Sequence, residues 1–302
     1  MPSRHPLRRS LARRVDALAT HLPRAVEGEP VGVHRARVAT RRLRELIPIV
    51  GADLPSRRVK RIRKRLRRLT RALGPVREQD VTLPTLEAMA SGAADAFDEV
   101  RERLAREREA RLAFLQHHAG TSKANRLVAK LRRLEEDLEP ATAWRDALAR
   151  RLTGRARALR AAIAEAGALF AAERLHAVRI AVKKLRYVLE IAGDARVAPT
   201  AALVSRLRDV QATLGRLHDL DVLRDRLQQA SADAEKDAAA IDAVMSRVLV
   251  EMRGLHAEYL RQQPRIIRVA DRTLDHVVPR VEARHAPPPD GSDNGAGEPQ
   301  PA

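Results

Sequence analysis

Two stretches of the chain repeat one pattern, a histidine followed by three cations. The first runs from His34 to Arg44 and the second from His176 to Arg186, at an offset of 142 residues. Five of the eleven aligned positions are identical, and three more exchange Val with Ile or Arg with Lys. The histidine and cations stand at i, i+3, i+7 and i+10, which places them on one face of a helix. Such a face can bind phosphate oxygens through charge-assisted hydrogen bonds, and a histidine adds a pH-dependent charge.

One basic helix face of this kind is more often simply solvated. Its recurrence in a second place, opposite an apolar stripe both times, favours two faces that form one functional surface. Neither block has the paired histidines or carboxylate cluster of a metal site, so we expect no metal and no cofactor.

A second pair of blocks follows the first in the same order. Leu66–Val81 aligns with Leu207–Val222 at an offset of 141, with six of sixteen positions identical, including Leu-Gly and Asp-Val. Two matched pairs in one order indicate an internal duplication, so we predict two similar helical halves. The Leu-Gly and Asp-Val pairs have two interpretations. In the structural one, the glycine ends a helix and the aspartate caps the next helix. In the functional one, Asp80 and Asp221 orient the arginines of the site from behind.

The helix predicted after the first block is unusually basic. Its apolar seam consists of Val59, Ile62, Leu66, Leu69 and Leu73, and ten of the fifteen residues from 57 to 71 are Lys or Arg. Residues 31–81 hold 16 Lys+Arg and 4 Asp+Glu, which is +12 of the chain's formal +19. Because so few acidic residues lie nearby, a bound anion is the natural compensation for this repulsion.

The composition of the 302 residues points the same way. With 58 Lys+Arg against 39 Asp+Glu and a pI of about 11.4, the surface should attract polyanions. The chain has no Cys, which excludes disulfides and thiol nucleophiles, and only six aromatic residues, which disfavours base stacking on aromatic side chains. We find no membrane-spanning stretch or signal peptide and expect a cytoplasmic protein.

Ala, Leu, Arg and Glu are strong helix formers, and strand-like alternation of β-branched residues is missing, so we predict an all-α fold. Reading between the glycines and prolines predicts helices over 7–22, 31–50, 56–73, 81–91, 93–118, 122–138, 142–168, 173–192, 199–214, 219–230, 232–262 and 265–283. We divide the chain into a first half, 1–140, a second half, 141–285, and a disordered tail, 286–302, that is rich in Pro and Gly.

The doubled histidine blocks, each followed by Leu-Gly and later Asp-Val, resemble the CHAD domain, the conserved histidine α-helical domain. The likeness extends over about residues 5–283. It implies two pseudo-symmetric four-helix bundles whose basic faces line a central groove or pore that binds inorganic polyphosphate. By this resemblance the site is lined by His34, Arg37, Arg41, Arg42, Arg44, Arg67, His176, Arg179, Lys183, Lys184, Arg186 and Arg208.

We add five residues to this predicted site. Arg61, Lys64 and Arg68 come from the basic helix, and Arg77 and His218 open the blocks that precede Asp-Val. The family usually has Arg-Asp-x-Asp-Val there, whereas this chain has Arg-Glu-Gln-Asp-Val and His-Asp-Leu-Asp-Val.

The function predicted first is non-catalytic binding of inorganic polyphosphate, at polyphosphate granules as the resemblance implies. The second is sequence-independent binding of nucleic acid, because basic helices attract any nucleic acid. The third is a phosphohydrolase acting on phosphate chains, for which His218-Asp-Leu-Asp221 is a weak signal. Many family members carry a triphosphate-hydrolysing tunnel domain marked by Glu-x-Glu-x-Lys, and this chain has no such motif. We therefore expect no enzymatic activity.

Overall fold

The computed structural model describes residues 5–91, 95–140, 142–233 and 238–283, and these form helices without any strand. The tail predicted over 286–302 lies outside the described residues. The helices are α1 (Arg8–Val26), α2 (Pro30–Val50), α3 (Ser56–Met89), α4 (Asp98–Ala119), α5 (Thr121–Glu136), α6 (Ala143–Ala166), α7 (Ala172–Asp194), α8 (Ala201–Asp233), α9 (Ala238–Arg272) and α10 (Val278–Ala283). A 3₁₀ turn over Asp95–Phe97 precedes α4, and a π-helical turn over Thr273–Val277 joins α9 to α10. The predicted all-α class is confirmed.

The predicted helix ends at residues 73 and 214 are wrong. Helix α3 continues through Gly74 and Pro75, and α8 continues through Gly215. The only glycines of the described residues with a positive φ are Gly28 and Gly167, so neither Gly74 nor Gly215 adopts the left-handed C-cap conformation. The buried apolar stripe continues past each glycine, and its packing outweighs the low helix propensity of glycine and proline.

The capping role predicted for Asp80 and Asp221 is wrong for the same reason, since both lie inside continuous helices. Helix α9 likewise passes through Pro264, where we predicted a break between 262 and 265.

The helices of the two halves pack in the same order. Helix α2 packs against α1 and α3, α3 packs against α4, and α5 returns to α1. In the second half, α7 packs against α6 and α8, α8 packs against α9, and α10 returns to α6. The halves meet where α2 contacts α6 and α7, and where α3 contacts α8. This order is the one a duplication would produce, and the duplication itself stays a prediction.

The apolar side chains form two cores. The larger one contains residues from both halves, from Leu7 to Val281. The smaller one joins the C-terminal ends of α3 and α8 to the N-terminal parts of α4 and α9, through Leu86, Phe97, Leu104, Leu227 and Val248. Burying these side chains holds α3 and α8 in place beside α2 and α7. Four helices from two halves are thereby fixed around one centre.

Candidate polyanion-binding site

Four helices bring eight basic side chains together between the halves. We call this group the central basic cluster: His34, Arg37 and Arg41 on α2, Arg77 on α3, His176, Arg179 and Lys183 on α7, and His218 on α8. All eight were predicted as site residues from the sequence. Among the described residues, no carboxylate lies within ion-pair distance of any of them.

The surroundings of the cluster lower the pKa values of its lysine and of Arg37. Burial, with Arg179, Arg41 and Arg37 nearby, lowers the pKa of Lys183 to about 6. Burial and the charges of Arg41 and Arg179 lower the pKa of Arg37 to about 10. The cluster therefore holds more positive charge than its surroundings neutralise.

Two histidines lie side by side in the second half. The Nδ1 atoms of His176 and His218 are 3.3 Å apart, and their ring centroids are 4.7 Å apart. Burial and the neighbouring Arg179 lower the pKa of His218 to about 3, and burial and Arg179 also lower the pKa of His176. Both rings are neutral at pH 7, so one Nδ1 can donate to the other.

The pair in the first half is different. His34 is exposed and lies near Arg77, which stands where the second half has His218. Partial burial and the charge of Arg77 lower the pKa of His34.

Arg37 and Arg179 each carry a buried donor that lacks an acceptor within the described part of the chain. They occupy matched positions in the two blocks, and the Nε atom of each is buried without a hydrogen-bond acceptor in the described residues. A buried guanidinium donor without an acceptor costs free energy, on the order of 1–3 kcal/mol for a polar group and more for a charged one. A ligand with acceptor oxygens between α2 and α7 would remove both costs.

Glu190 on α7 binds three of the predicted site residues outside the cluster. Its Oε2 lies 3.2 Å from Arg42 Nε, its Oε1 lies 3.7 Å from Arg208 Nη2, and it forms an ion pair with Arg186. Arg186 is buried and also donates to Gln211. An open cavity of about 950 Å³ borders this group and the cluster, and it is lined by residues that include His34, Arg77, Arg42, Glu190 and Arg208.

Glu45 on α2 organises a second group. It is buried, and its carboxylate oxygens lie 3.0 Å from Arg151 Nη2 and 3.0 Å from Arg155 Nη2, both on α6. Three predicted site residues lie around it. Arg44 and Lys184 are close enough to interact with its charge, and Arg67 lies near Arg44.

A model of the CHAD domain family matches residues 9–228, which is most of the chain. The chain belongs to the CHAD domain family. The fold agrees with two solved structures. The crystal structure of the CHAD domain from the plant Ricinus communis is 20% identical with a TM-score of 0.63, over 90% of this chain and 93% of that one. PptA from Streptomyces chartreusis is 17% identical with a TM-score of 0.66, over 87% and 99%. No functionally curated protein matches the chain.

Three other predicted site residues lie on the α3 surface of this CHAD domain, away from the central basic cluster. Arg61 and Arg68 line cavities between α3 and α5. Lys64 is exposed on α3. We predicted them as site residues from the number of cations on this helix, whose separate faces meet different neighbours.

The two aspartates predicted to orient the site arginines contact other residues. Asp80 Oδ1 accepts a hydrogen bond of 2.8 Å from Arg108 on α4, and Asp221 Oδ1 lies 2.8 Å from Arg224 on α8 itself. The carboxylate near the cluster is Asp219, which interacts with Arg179, Lys183 and Arg77. Burial raises its pKa despite these cations.

Sequence reasoning missed Asp219, Glu190 and Glu45. A signal existed for Glu190, because it stands four residues after Arg186 on one helix face. The contacts of Glu45 cross from α2 to α6 and leave no local pattern. No three His, Asp or Glu side chains in the described ranges lie close enough together to hold a metal ion. No helix there is long and apolar enough to cross a bilayer.

Proposed function

We propose that this CHAD domain binds inorganic polyphosphate at the central basic cluster without chemically changing it. The observation that carries the proposal is the pair of buried Nε atoms of Arg37 and Arg179, which face a centre rich in cations and lack acceptors in the described residues. Phosphate oxygens would supply those acceptors. Because the two arginines belong to different halves, one ligand chain would contact both, and the cluster would line the groove expected from the sequence.

Polyphosphate suits such a centre chemically. It carries about one negative charge per phosphate and no base, so arginine can grip it by bidentate hydrogen bonds alone. Its charge would also favour protonation of Lys183, whose pKa in the free protein is about 6. Binding would therefore add a positive charge where it is needed.

Two arguments favour polyphosphate over nucleic acid. The chain has only six aromatic residues on which bases could stack. Membership of the CHAD family supports the same ligand through the resemblance described above. We extend the proposal to a cytoplasmic protein found at polyphosphate granules.

The first test is a double charge reversal, Arg37→Glu with Arg179→Glu. Replacing both donors by carboxylates should weaken the binding of end-labelled polyphosphate at least about a hundredfold, because it removes two charge-assisted contacts and adds repulsion. The matched control is Arg150→Glu with Arg157→Glu, two exposed arginines on α6 that form no ion pair in the described residues. Circular dichroism should show unchanged helix content in both. Retained affinity in the first variant would place the ligand elsewhere.

Competition separates the remaining alternatives. At about 0.15 M salt and equal phosphate concentration, polyphosphate should displace the label far better than duplex DNA. Equal or better competition by DNA would reject the proposed ligand. Release of orthophosphate in the presence of Mg²⁺, lost on replacing His34 or His218, would show an enzyme instead.

A further inference from the structure

The outer surface of α3 forms a groove with α5 that the central basic cluster does not use. We call it the α3–α5 groove. It consists of two adjoining cavities of about 940 Å³ and 320 Å³, which share Arg65 and Lys130. The larger one also reaches α1 at Leu22 and α4 at Phe114.

Two rows of cations border this groove. On α3 the row is Arg61, Arg65, Arg68 and Arg71, and on α5 it is Lys123, Arg126, Lys130 and Arg133. Each row covers ten residue steps of helix, or about 15 Å. The two run in opposite directions, because Arg61 shares a cavity with Arg133 and Arg71 shares one with Lys123. Within the described part of the chain, none of the eight is in ion-pair distance of a carboxylate.

The floor between the rows is apolar. Leu22, Leu69 and Leu127 form it together with small alanines at 72, 119 and 124. Phe114 stands at one end, 51% exposed, with its ring stacked on His118 at a centroid distance of 3.9 Å. A large aromatic side chain exposed beside an apolar floor is typical of an anchor for a protein partner.

Two rows of cations on either side of an apolar floor favour one class of ligand over others. A phosphate chain has no apolar group to place on the floor, and a flat bilayer does not fit a concave surface. An amphipathic helix fits both features, since its apolar residues at i, i+3, i+4 and i+7 would lie on the floor. Its flanking residues would then meet a row of cations on each side, and complementarity requires them to be Asp or Glu.

We infer that the α3–α5 groove is a docking site for an acidic amphipathic helix of a partner protein, about three turns long. The alanines of the floor allow the backbone of that helix to approach closely. The site is distinct from the central basic cluster, because the two share no residue. The groove is lined by residues 58–72 of α3 and by α5, whereas the cluster has Arg77 on α3 and its other members on α2, α7 and α8.

The test uses a synthetic labelled peptide of about 18 residues, with Leu and Phe on one helix face and Glu on both flanks, and a scrambled peptide of equal composition. We expect the amphipathic peptide to bind at least about tenfold more tightly than the scrambled one. Arg68→Glu with Lys130→Glu, one from each row, should weaken it at least about tenfold. Phe114→Ala should weaken binding of the amphipathic peptide about three- to tenfold with no change of charge. This single variant tests the site if the double variant does not fold.

Two control variants separate this site from the proposed polyphosphate site. Arg150→Glu with Arg157→Glu, and Arg37→Glu with Arg179→Glu, should leave peptide affinity within about twofold. Equal binding of the scrambled peptide would show attraction by charge alone and overturn the inference. Loss of peptide binding on replacing Arg37 and Arg179 would overturn it in favour of the central cluster. Binding of phosphatidylglycerol vesicles without any binding of the peptide would also overturn the inference.

Discussion

The two halves of the molecule present matched blocks in very different surroundings. Residues 31–81 carry 16 Lys+Arg and 4 Asp+Glu, or +12, whereas the aligned residues 172–222 carry nine and six, or +3. Arg44 in the first half lies among Arg41, Arg63 and Arg67, with Glu45 beside it. Its counterpart Arg186 is buried against Glu190 and Gln211. The first half thus supplies excess charge, and the second half supplies cations held in fixed positions.

This difference suggests a division of labour at the proposed site. Exposed cations raise the local concentration of a polyanion and make its binding sensitive to salt. Buried cations with fixed neighbours determine where the ligand comes to rest.

Among single substitutions, the largest effect on binding should come from the two matched arginines at the centre. Arg37→Ala and Arg179→Ala each remove a guanidinium at an equivalent position, so each should weaken polyphosphate binding by about 10- to 100-fold. Isothermal titration calorimetry would measure both. Effects that differ by more than about tenfold would show that one half alone holds the ligand.

Lys183→Met should stabilise the free protein, by about 2 kcal/mol at pH 7. The pKa of Lys183 is about 6 in the fold against 10.5 ordinarily, so the unfolded chain binds a proton that the folded one releases. Lys183 does not destabilise the fold at pH values above 10.5, its ordinary pKa. The cost to stability grows as the pH falls below that value and is complete below a pH of about 6, its pKa in the fold. Thermal unfolding at several pH values measures the gain.

The matched variant in the first half is Arg41→Met. Arg41 itself lowers the pKa of Lys183, so its removal should give a gain that varies with pH only through Lys183, and less steeply than the gain from Lys183→Met. A gain from Lys183→Met that does not change with pH would contradict the assigned pKa.

The affinity for polyphosphate should rise as pH falls from about 8 to about 6, by up to about tenfold per pH unit for each proton taken up. An anion raises the pKa of Lys183 above its free value of about 6, so binding brings a proton with it until the free lysine is itself charged. Titrations in buffers of different ionisation enthalpy would count that proton. The Lys183→Met variant should lose most of the pH dependence.

The smallest effect concerns salt. Arg67→Gln should lower the slope of log affinity against log salt by up to about 0.7, the value for one phosphate contact on a single strand. Its counterpart Arg208→Gln should change the slope less, because Arg208 already lies near Glu190. Equal slopes in both variants would remove the distinction between the halves.

Several features could be predicted from sequence because they depend on local spacing. The helix faces of α2 and α7 follow from periodicity, and all eight members of the central basic cluster were among the residues predicted. The continuity of α3 and α8 could not be predicted, because glycine and proline are helix breakers in isolation. Burial of Val76 and Leu217 beyond those residues supplies the packing that carries the helix through.

The partners of the remaining cations depend on tertiary contacts. Arg61 and Arg68 face α5, and Asp80 contacts Arg108, only because of how α4 and α5 pack against α3. A helical wheel separates the faces of α3 but does not say which neighbour each face meets. The α3–α5 groove could therefore be recognised only from the fold.

The uninterrupted course of α3 and α8 has a mechanical consequence. Arg77 and His218 lie about 14 Å along their helices from Leu86 and Leu227, which belong to the core that joins the halves. An anion bridging the first two residues would resist separation of the last two, since each helix is continuous between these positions. The supply of ligand would then set the temperature at which both halves come apart together, and a thermal melt would show one transition that moves with ligand concentration.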